Sequence, residues 1–251
     1  MMMKKNTMKK PKLAVIDGDI IAWKSAFIAD SEGALVIDSV ISNLIKKWTP
    51  KGVTKVIVAL SDKANFRKDL FPDYKANRAS VVKPDSLGAS FEILRERYDT
   101  LTLPELEADD ILGIYASSGK GISVSIDKDL KGVPGWYWNP EKDKKPYLIA
   151  PEDAEKWFCI QWMAGDSTDG IPGMWMIGKK KAEKLLDQCK DEQWHELITE
   201  MYKLEQHAPK KDYGEIDPCV AMGQCVRILQ CGNYDMKKKE ITELWYPKVG
   251  L

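Results

Sequence analysis

Three short apolar runs, each rich in Val or Ile and each delivering the chain to an aspartate, constrain this sequence more than anything else in it. They are KLAVID (12–17), KVIVAL (55–60, with Asp62 just beyond) and ISVSI (122–126, with Asp127 next). Runs of this length and continuity read as buried parallel strands. Parallel strands need crossovers, and the sequence between them keeps helical spacing. Ile37, Val40, Ile41, Leu44, Ile45 and Trp48 predict one crossover helix between the first two strands. Leu87, Phe91, Leu94 and Tyr98 predict a second, and a third is expected from near Pro104 with Ala108, Ile111, Leu112 and Tyr115 on its apolar face. YLIA (147–150) adds a shorter strand, and the class is α/β with a parallel sheet.

After Pro151 helical patterns take over, at 152–163, 179–189, 191–206 and 217–230, so a boundary is expected near 150: an α/β domain over 1–150 and a mostly helical domain over 151–251. Hydrophobic residues make up 44% and charged residues 30%, the profile of a soluble globular chain. Lys plus Arg and Asp plus Glu are equal at 38 each, so placement of charge, not net charge, has to identify a partner. The opening MMMKKNTMKKPK resembles the start of a signal peptide, but Asp17 and Asp19 interrupt the apolar run that should follow. No stretch approaches the roughly 18 apolar residues of a membrane span, and the expectation is a cytoplasmic protein without a membrane partner. The five cysteines include three spaced six apart (Cys219, Cys225, Cys231), which fits no zinc spacing, with or without His207, and reduced, mostly buried thiols are the better account.

Acidic residues recur in five segments: Asp17 and Asp19; Asp62; Glu107, Asp109 and Asp110; Asp127 and Asp129; Asp166 and Asp169. Three of these lie just past the C-terminal end of a predicted strand, the sheet edge where ligands bind. Any one such aspartate is more often a turn former or helix cap, and Asp19 is open to that reading because Asp17 leaves the strand first. Five segments converging is harder to dismiss. Crowded carboxylates repel, cations relieve the repulsion, and all-oxygen ligands select Mg²⁺ or Mn²⁺. Within ELEADD, a fully helical 107–110 would put Glu107 and Asp110 about 60° apart and Asp109 on the far flank. Convergence therefore requires Glu107 on the approach to the helix and Asp109 in its first turn. Only two histidines occur, His195 and His207, both in the helical half and neither among these segments. Histidine bases and Ser-His-Asp hydrolysis drop out, leaving water activated by a metal as nucleophile.

Cations and aromatics alternate over 66–78, FRKDLFPDYKANR, as expected for a surface that neutralises phosphates and stacks on bases, although composition alone also fits a solvated amphipathic segment. In 165–186, GDSTDGIPGMWMIGKKKAEKLL, a glycine-rich turn opens a helix whose first turn carries Lys179, Lys180 and Lys181. Lysines there oppose the helix dipole, and a polyanion is a reason to keep them. The cluster Trp136-Tyr137-Trp138 weighs toward packing over base stacking.

In order, IDGD, SDKANFRKDLFPDYKANR, ELEADD, SIDKDL and GDSTDGIPG-x-x-x-IGKKKAEKLL resemble the 5′–3′ exonuclease and flap endonuclease family, over residues 12 to about 190. Its relevant members are freestanding bacteriophage enzymes and the 5′ nuclease domain of bacterial DNA polymerase I. The resemblance implies a PIN-like α/β domain followed by a helix-three-turn-helix module. It implies two Mg²⁺, replaceable by Mn²⁺, a K⁺ at the helix-three-turn-helix turn, and DNA with 5′ ends or flaps as partner, extending to RNA–DNA hybrid. Carried over, Asp17, Asp62, Glu107 and Asp109 look like ligands of the first metal region, Asp127, Asp129 and Asp166 of the second, with Asp110 and Asp169 supporting. Lys75 and Arg78 match the pair that contacts the scissile phosphate. Arg67, Tyr74, Gly173, Gly178, Lys179 and Lys180 match DNA-binding positions. One departure stands out: Met176 occupies the place of the family turn's third glycine, with Trp175 before it. Two rivals share part of this pattern. A PIN-type endoribonuclease would share the acidic edge without needing the 165–186 grip, and a non-catalytic DNA-binding module would gain nothing from acids facing phosphate.

Overall fold

A computed structural model describes residues 9–204 and 217–248. The chain begins with β1 (Leu13–Asp17), followed by two helices, α1 (Gly18–Glu32) and α2 (Ile37–Lys47), before β2 (Lys55–Ala59). The expectation of a single crossover helix is corrected here. α1 went unread because its buried side is made of small and large residues together (Ile21, Ala22, Ser25, Ala26, Ala29), which leaves no clean apolar stripe. Next come α3 (Arg67–Leu70), a 3-10 turn over Ala76–Ser80, α4 (Leu87–Arg97) and the two-residue β3 (Thr100–Leu101). α5 spans Ala108–Ser117, not a start near Pro104: Glu105 sits at φ 63° and Glu107 is extended, its backbone N–H donating to Asp110 Oδ2 at 3.1 Å. β4 (Ile122–Val124), β5 (Gly135–Trp138) and β6 (Tyr147–Ile149) complete the sheet.

The six strands run in the order β3-β2-β1-β4-β5-β6, parallel except for β6, which returns antiparallel to β5. β1 lies between β2 and β4, paired through Asp17↔Ala59 on one side and Ile16↔Val124 on the other. Strand order reverses there, which makes its C-terminal end the natural ligand crevice. The aromatic cluster is β5: Tyr137 packs on the α5 face of the sheet, Trp136 and Trp138 on the opposite face with α1 and α4. Packing is thus what the trio does.

The helical part consists of α6 (Pro151–Ala164), α7 (Lys179–Leu186), α8 (Trp194–Lys203) and α9 (Pro218–Val226), with their own buried core around Trp162, Met174, Ile198 and Met222. Pro151 opens α6, where its missing N–H costs nothing. The predicted helix over 191–206 is a 3-10 turn plus α8, and its last two residues lie outside the described residues. The pattern expected to run to 230 stops at Val226. Beyond it the chain turns back to the sheet: Leu229 and Tyr234 share the core of α5, and a Cβ on Gly113 would come within 2.4 Å of the Leu229 carbonyl oxygen. A small hairpin of β7 (Tyr234–Asp235) and β8 (Glu240–Ile241) follows. Trp245 then seats against Phe158 and Trp162, with ring centroids 4.9 and 4.7 Å away, over the bare Cα of Gly223. Among the described residues no helix is long and apolar enough to cross a membrane.

Candidate active site

The C-terminal edge of β1 and β4, the start of α5 and the 166–169 turn enclose a cleft of about 780 Å³. Asp17 ends β1 and caps α1, accepting the Ile20 amide at 3.2 Å and the Ser125 hydroxyl at 2.8 Å. Burial, and then the adjacent Asp19, push its carboxyl up to about 7. Asp19 lines the same cleft, accepts the Ser61 amide at 3.3 Å and is likewise raised by burial. Asp109, in the first turn of α5, is raised well above the carboxylate range by burial and by Asp17, and its Oδ1 is buried without a hydrogen-bond partner. Asp127 and Asp129 follow β4, with the Asp129 amide on Asp127 Oδ1 at 2.8 Å. Burial and Asp127 push Asp129 up to about 7, and its Oδ1 also lacks a partner. Asp166 closes the far wall. Its burial is outweighed by the Thr168 amide at 2.8 Å and by Lys179, which hold it below its usual range.

Glu107 caps α5 from an extended backbone with Asp109 in the first turn, the arrangement that convergence required. Its carboxylate accepts Lys75 Nζ at 2.5 Å and the Tyr74 hydroxyl at 2.8 Å. Burial would raise it, but Lys75 and Arg67 prevail and keep it low. Lys75 stands at φ 56° and also reaches Asp169 at 3.6 Å; Arg78 is hydrogen-bonded to Asp169. Burial raises Asp169 in spite of both cations.

Several expected site residues lie elsewhere. Asp62 is not among the cleft-lining residues; its carboxylate fastens a loop by accepting the Lys63 and Glu105 amides at 2.8 and 2.9 Å. Asp19 is among the lining residues. Asp110 is fully buried, and its two oxygens accept both Arg67 Nη atoms (2.8 and 2.7 Å) and the Glu107 and Leu229 amides (3.1 and 3.0 Å). Four donors saturate it, so Asp110 is a structural anchor and not an ion ligand. Arg67 is 2% exposed and spends its other donors on the Cys225 and Arg227 carbonyls, at 2.9 and 2.8 Å. It cannot meet DNA. The Tyr74 ring is equally buried and cannot stack on a base. Gly173 is required by packing, since at φ 61° a Cβ would lie 2.3 Å from the Ala164 backbone. Gly178 is open and precedes α7, while Lys179 is half-buried and Lys180 exposed. Asp19 was the residue the sequence concealed best, although IDGD placed it two residues from Asp17.

Among the described residues no histidine lines the cleft. His195 instead sits in the helical core, its Nε2 2.8 Å from Glu155 and its Nδ1 accepting the Lys248 amide at 2.8 Å; His207 lies outside the described residues. Glu155, Cys159 and His195 come close enough together to hold a metal, but Arg227 at 3.0 Å already neutralises Glu155, and both ring nitrogens are engaged. All five cysteines are free; Cys159, Cys219 and Cys225 are buried, Cys189 is partly buried and Cys231 is exposed.

Comparison with known proteins places this arrangement. Residues 12–133 match the family described as "5'-3' exonuclease, N-terminal resolvase-like domain". The exonuclease of Escherichia phage T7 is 28% identical over 287 residues, covering 94% of this chain and 93% of that protein. A 5'-3' exonuclease of Buchnera aphidicola subsp. Schizaphis graminum is 31% identical over 211 residues, covering 72% of this chain and 71% of that one. In fold, the chain is similar to the bacteriophage T5 flap endonuclease in a pseudo-enzyme-product complex with DNA and metal ions, with a TM-score of 0.57, 20% identity and 85% of each chain covered.

Proposed function

The chain belongs to the 5′–3′ exonuclease family, and from that premise we propose that it hydrolyses DNA phosphodiesters at or near a 5′ end, in a divalent-metal-dependent reaction within the β1–β4–α5 cleft. The observation that carries this reading is the pair of buried, partnerless oxygens on Asp109 and Asp129, in a cleft where burial and neighbouring carboxylates raise Asp17, Asp19, Asp109 and Asp129 above the usual carboxylate range. Such a group is unfavourable by itself and suited to hard cations. Asp17, Asp19 and Asp109, with Glu107 beside them, are donors for one ion, and Asp127, Asp129 and Asp166 for a second; Mg²⁺ fits, and Mn²⁺ can replace it. Bound there, the ions supply charge neutralisation, a more acidic water and support for the departing 3′ oxygen.

The protein's own groups do the rest. Tyr74 and Lys75 hold Glu107 in one orientation. Lys75 and Arg78 form the cationic side of an otherwise acidic cleft, so an approaching phosphate exchanges its counterions for these two. Their contact strengthens as negative charge builds on the phosphorus centre. His195, the histidine among the described residues, sits in the helical core away from the cleft, so it does not take the water's proton there. The products carry a 5′ phosphate. That the T5 structure holds DNA and metal ions supports DNA as the substrate here, with RNA–DNA hybrid a second candidate.

The test uses a 5′-labelled flap, a blunt duplex, an RNA–DNA hybrid and single-stranded RNA, each with Mg²⁺ or EDTA. Cleavage from the labelled end that stops in EDTA is expected on the DNA substrates. Lys75→Ala should lower kcat by at least about a hundredfold and leave duplex affinity within a fewfold, as for a contact made mainly in the transition state. Cleavage persisting in EDTA, or a preference for single-stranded RNA, would overturn the reading.

A further inference from the structure

In the turn between α6 and α7, three apolar side chains point in and two point out. Ile171, Met174 and Ile177 are buried, whereas Trp175 is 47% and Met176 69% exposed. Met176 also holds φ 62°, a left-handed conformation that a side chain adopts rarely and that glycine would occupy without strain. Packing does not ask for a side chain there. The surroundings are strongly cationic: Lys179, Lys180 and Lys181 come next, and Lys181 Nζ donates to the Met176 carbonyl at 3.4 Å. From this tip a ledge leads to the cleft. Lys179 and Lys131 both stand over the Trp157 ring, 5.9 and 5.5 Å from its centroid, and Lys131 lies in the same short turn as Asp129 of the cleft.

We propose that Trp175 and Met176 form an apolar wedge for the duplex part of the DNA substrate, pressing on sugars and base edges in the minor groove while the flanking lysines take the phosphates. The inference rests on the cleft acting on DNA. Charge complementarity and continuity with the cleft name the occupant. A polyanion explains the lysines, and duplex DNA, which the cleft is read to act on and which carries apolar groove surface between its charges, also explains the two side chains they frame. The pair binds without releasing counterions, so its share of the affinity does not depend on salt.

That separation gives the test. Binding of a labelled duplex is followed by anisotropy in EDTA over a salt series, for Trp175→Ala, Met176→Gly and the double variant Lys179→Ala, Lys180→Ala. Met176→Gly should raise the melting temperature, because strain is relieved, and yet weaken duplex binding by about tenfold with the slope of log K against log salt unchanged. Trp175→Ala should weaken binding similarly at the same slope. The lysine pair should flatten the slope by about 1.8. Single-stranded oligonucleotide should bind all but the lysine variant as it binds the unaltered protein. Unaltered duplex affinity in both Trp175→Ala and Met176→Gly, or a loss shared with single strands, would overturn the wedge. A protein that cuts no DNA in Mg²⁺ would instead overturn the reading beneath it, so the two failures are distinct.

Discussion

Replacing Asp17 by Asn should make the metal-free protein more stable while abolishing its chemistry. Asn keeps the shape, caps α1 as well as Asp does, and can donate to the Ser125 hydroxyl it now accepts from. What changes is charge. Asp17 is buried, and its carboxyl is raised from 3.8 to about 7. A folded-state value above the unfolded one means that the stability is whole below about pH 4 and is lost as pH rises through 7. The gap corresponds to about 4 kcal/mol at pH 8 as a ceiling, since part of it belongs to the repulsion shared with Asp19 and Asp127. For a chain of 251 residues, a kcal/mol shifts the melting point by about 2–4 °C, so the variant should melt about 5–15 °C higher at pH 8 in EDTA. At pH 4 the two proteins should melt together. Mg²⁺ should raise the unaltered protein more than the variant, closing the gap from the other side. Calorimetry at pH 4 and pH 8, with and without Mg²⁺, reads all of this, and cleavage should fall by at least about a thousandfold. A variant that is less stable at pH 8, or a gap that is the same at both pH values, would refute the view of the cleft as an electrostatic strain held for a cation.

Asp110→Asn should cost about 3–5 kcal/mol in urea unfolding, because it strands the buried Arg67 guanidinium, and Arg67→Met with Asp110→Leu should recover part of that loss; an Asn variant of full stability that has lost metal affinity would return Asp110 to the ion ligands. Glu155 behaves oppositely to Asp17: its burial is outweighed by His195 and Arg227, which pull it from 4.5 to about 2. Its contribution is therefore present above about pH 4.5 and lost as pH falls toward 2, at most about 3 kcal/mol, so Glu155→Gln should flatten the acid limb of the urea midpoint, and an acid limb unchanged in the variant would count against the pairing of Glu155 with His195 and Arg227.

The strand runs that stop at aspartates made the sheet and its crevice legible, because burial on both faces leaves few residue types to choose from. ELEADD even carried its own geometry, since only an extended Glu107 lets Asp109 face the cleft. What stayed hidden depends on tertiary partners. Asp109 and Asp110 are neighbours of one type, and nothing local says that one faces a cleft while the other is saturated by Arg67 and two amides. Arg67 and Tyr74 sit in the same cationic, aromatic segment as Lys75 and Arg78, yet the fold turns the first two inward. Asp19 lines the cleft and Asp62 does not for a similar reason: which aspartate faces the crevice depends on how the following loop is tied down.

The Arg67 clamp has a consequence for the order in which the molecule is made. Asp110 and Arg67 are joined early in the sequence, and the Glu107 amide is close by, but their other partners are the Cys225 and Arg227 carbonyls and the Leu229 amide, more than a hundred positions downstream. Until those arrive, a guanidinium and a carboxylate directly behind Asp109 lack half their hydrogen bonds, and the α5 turn that aims Asp109 has no fixed seat. The clamp behind Asp109 is complete only once the stretch through Leu229 has left the ribosome.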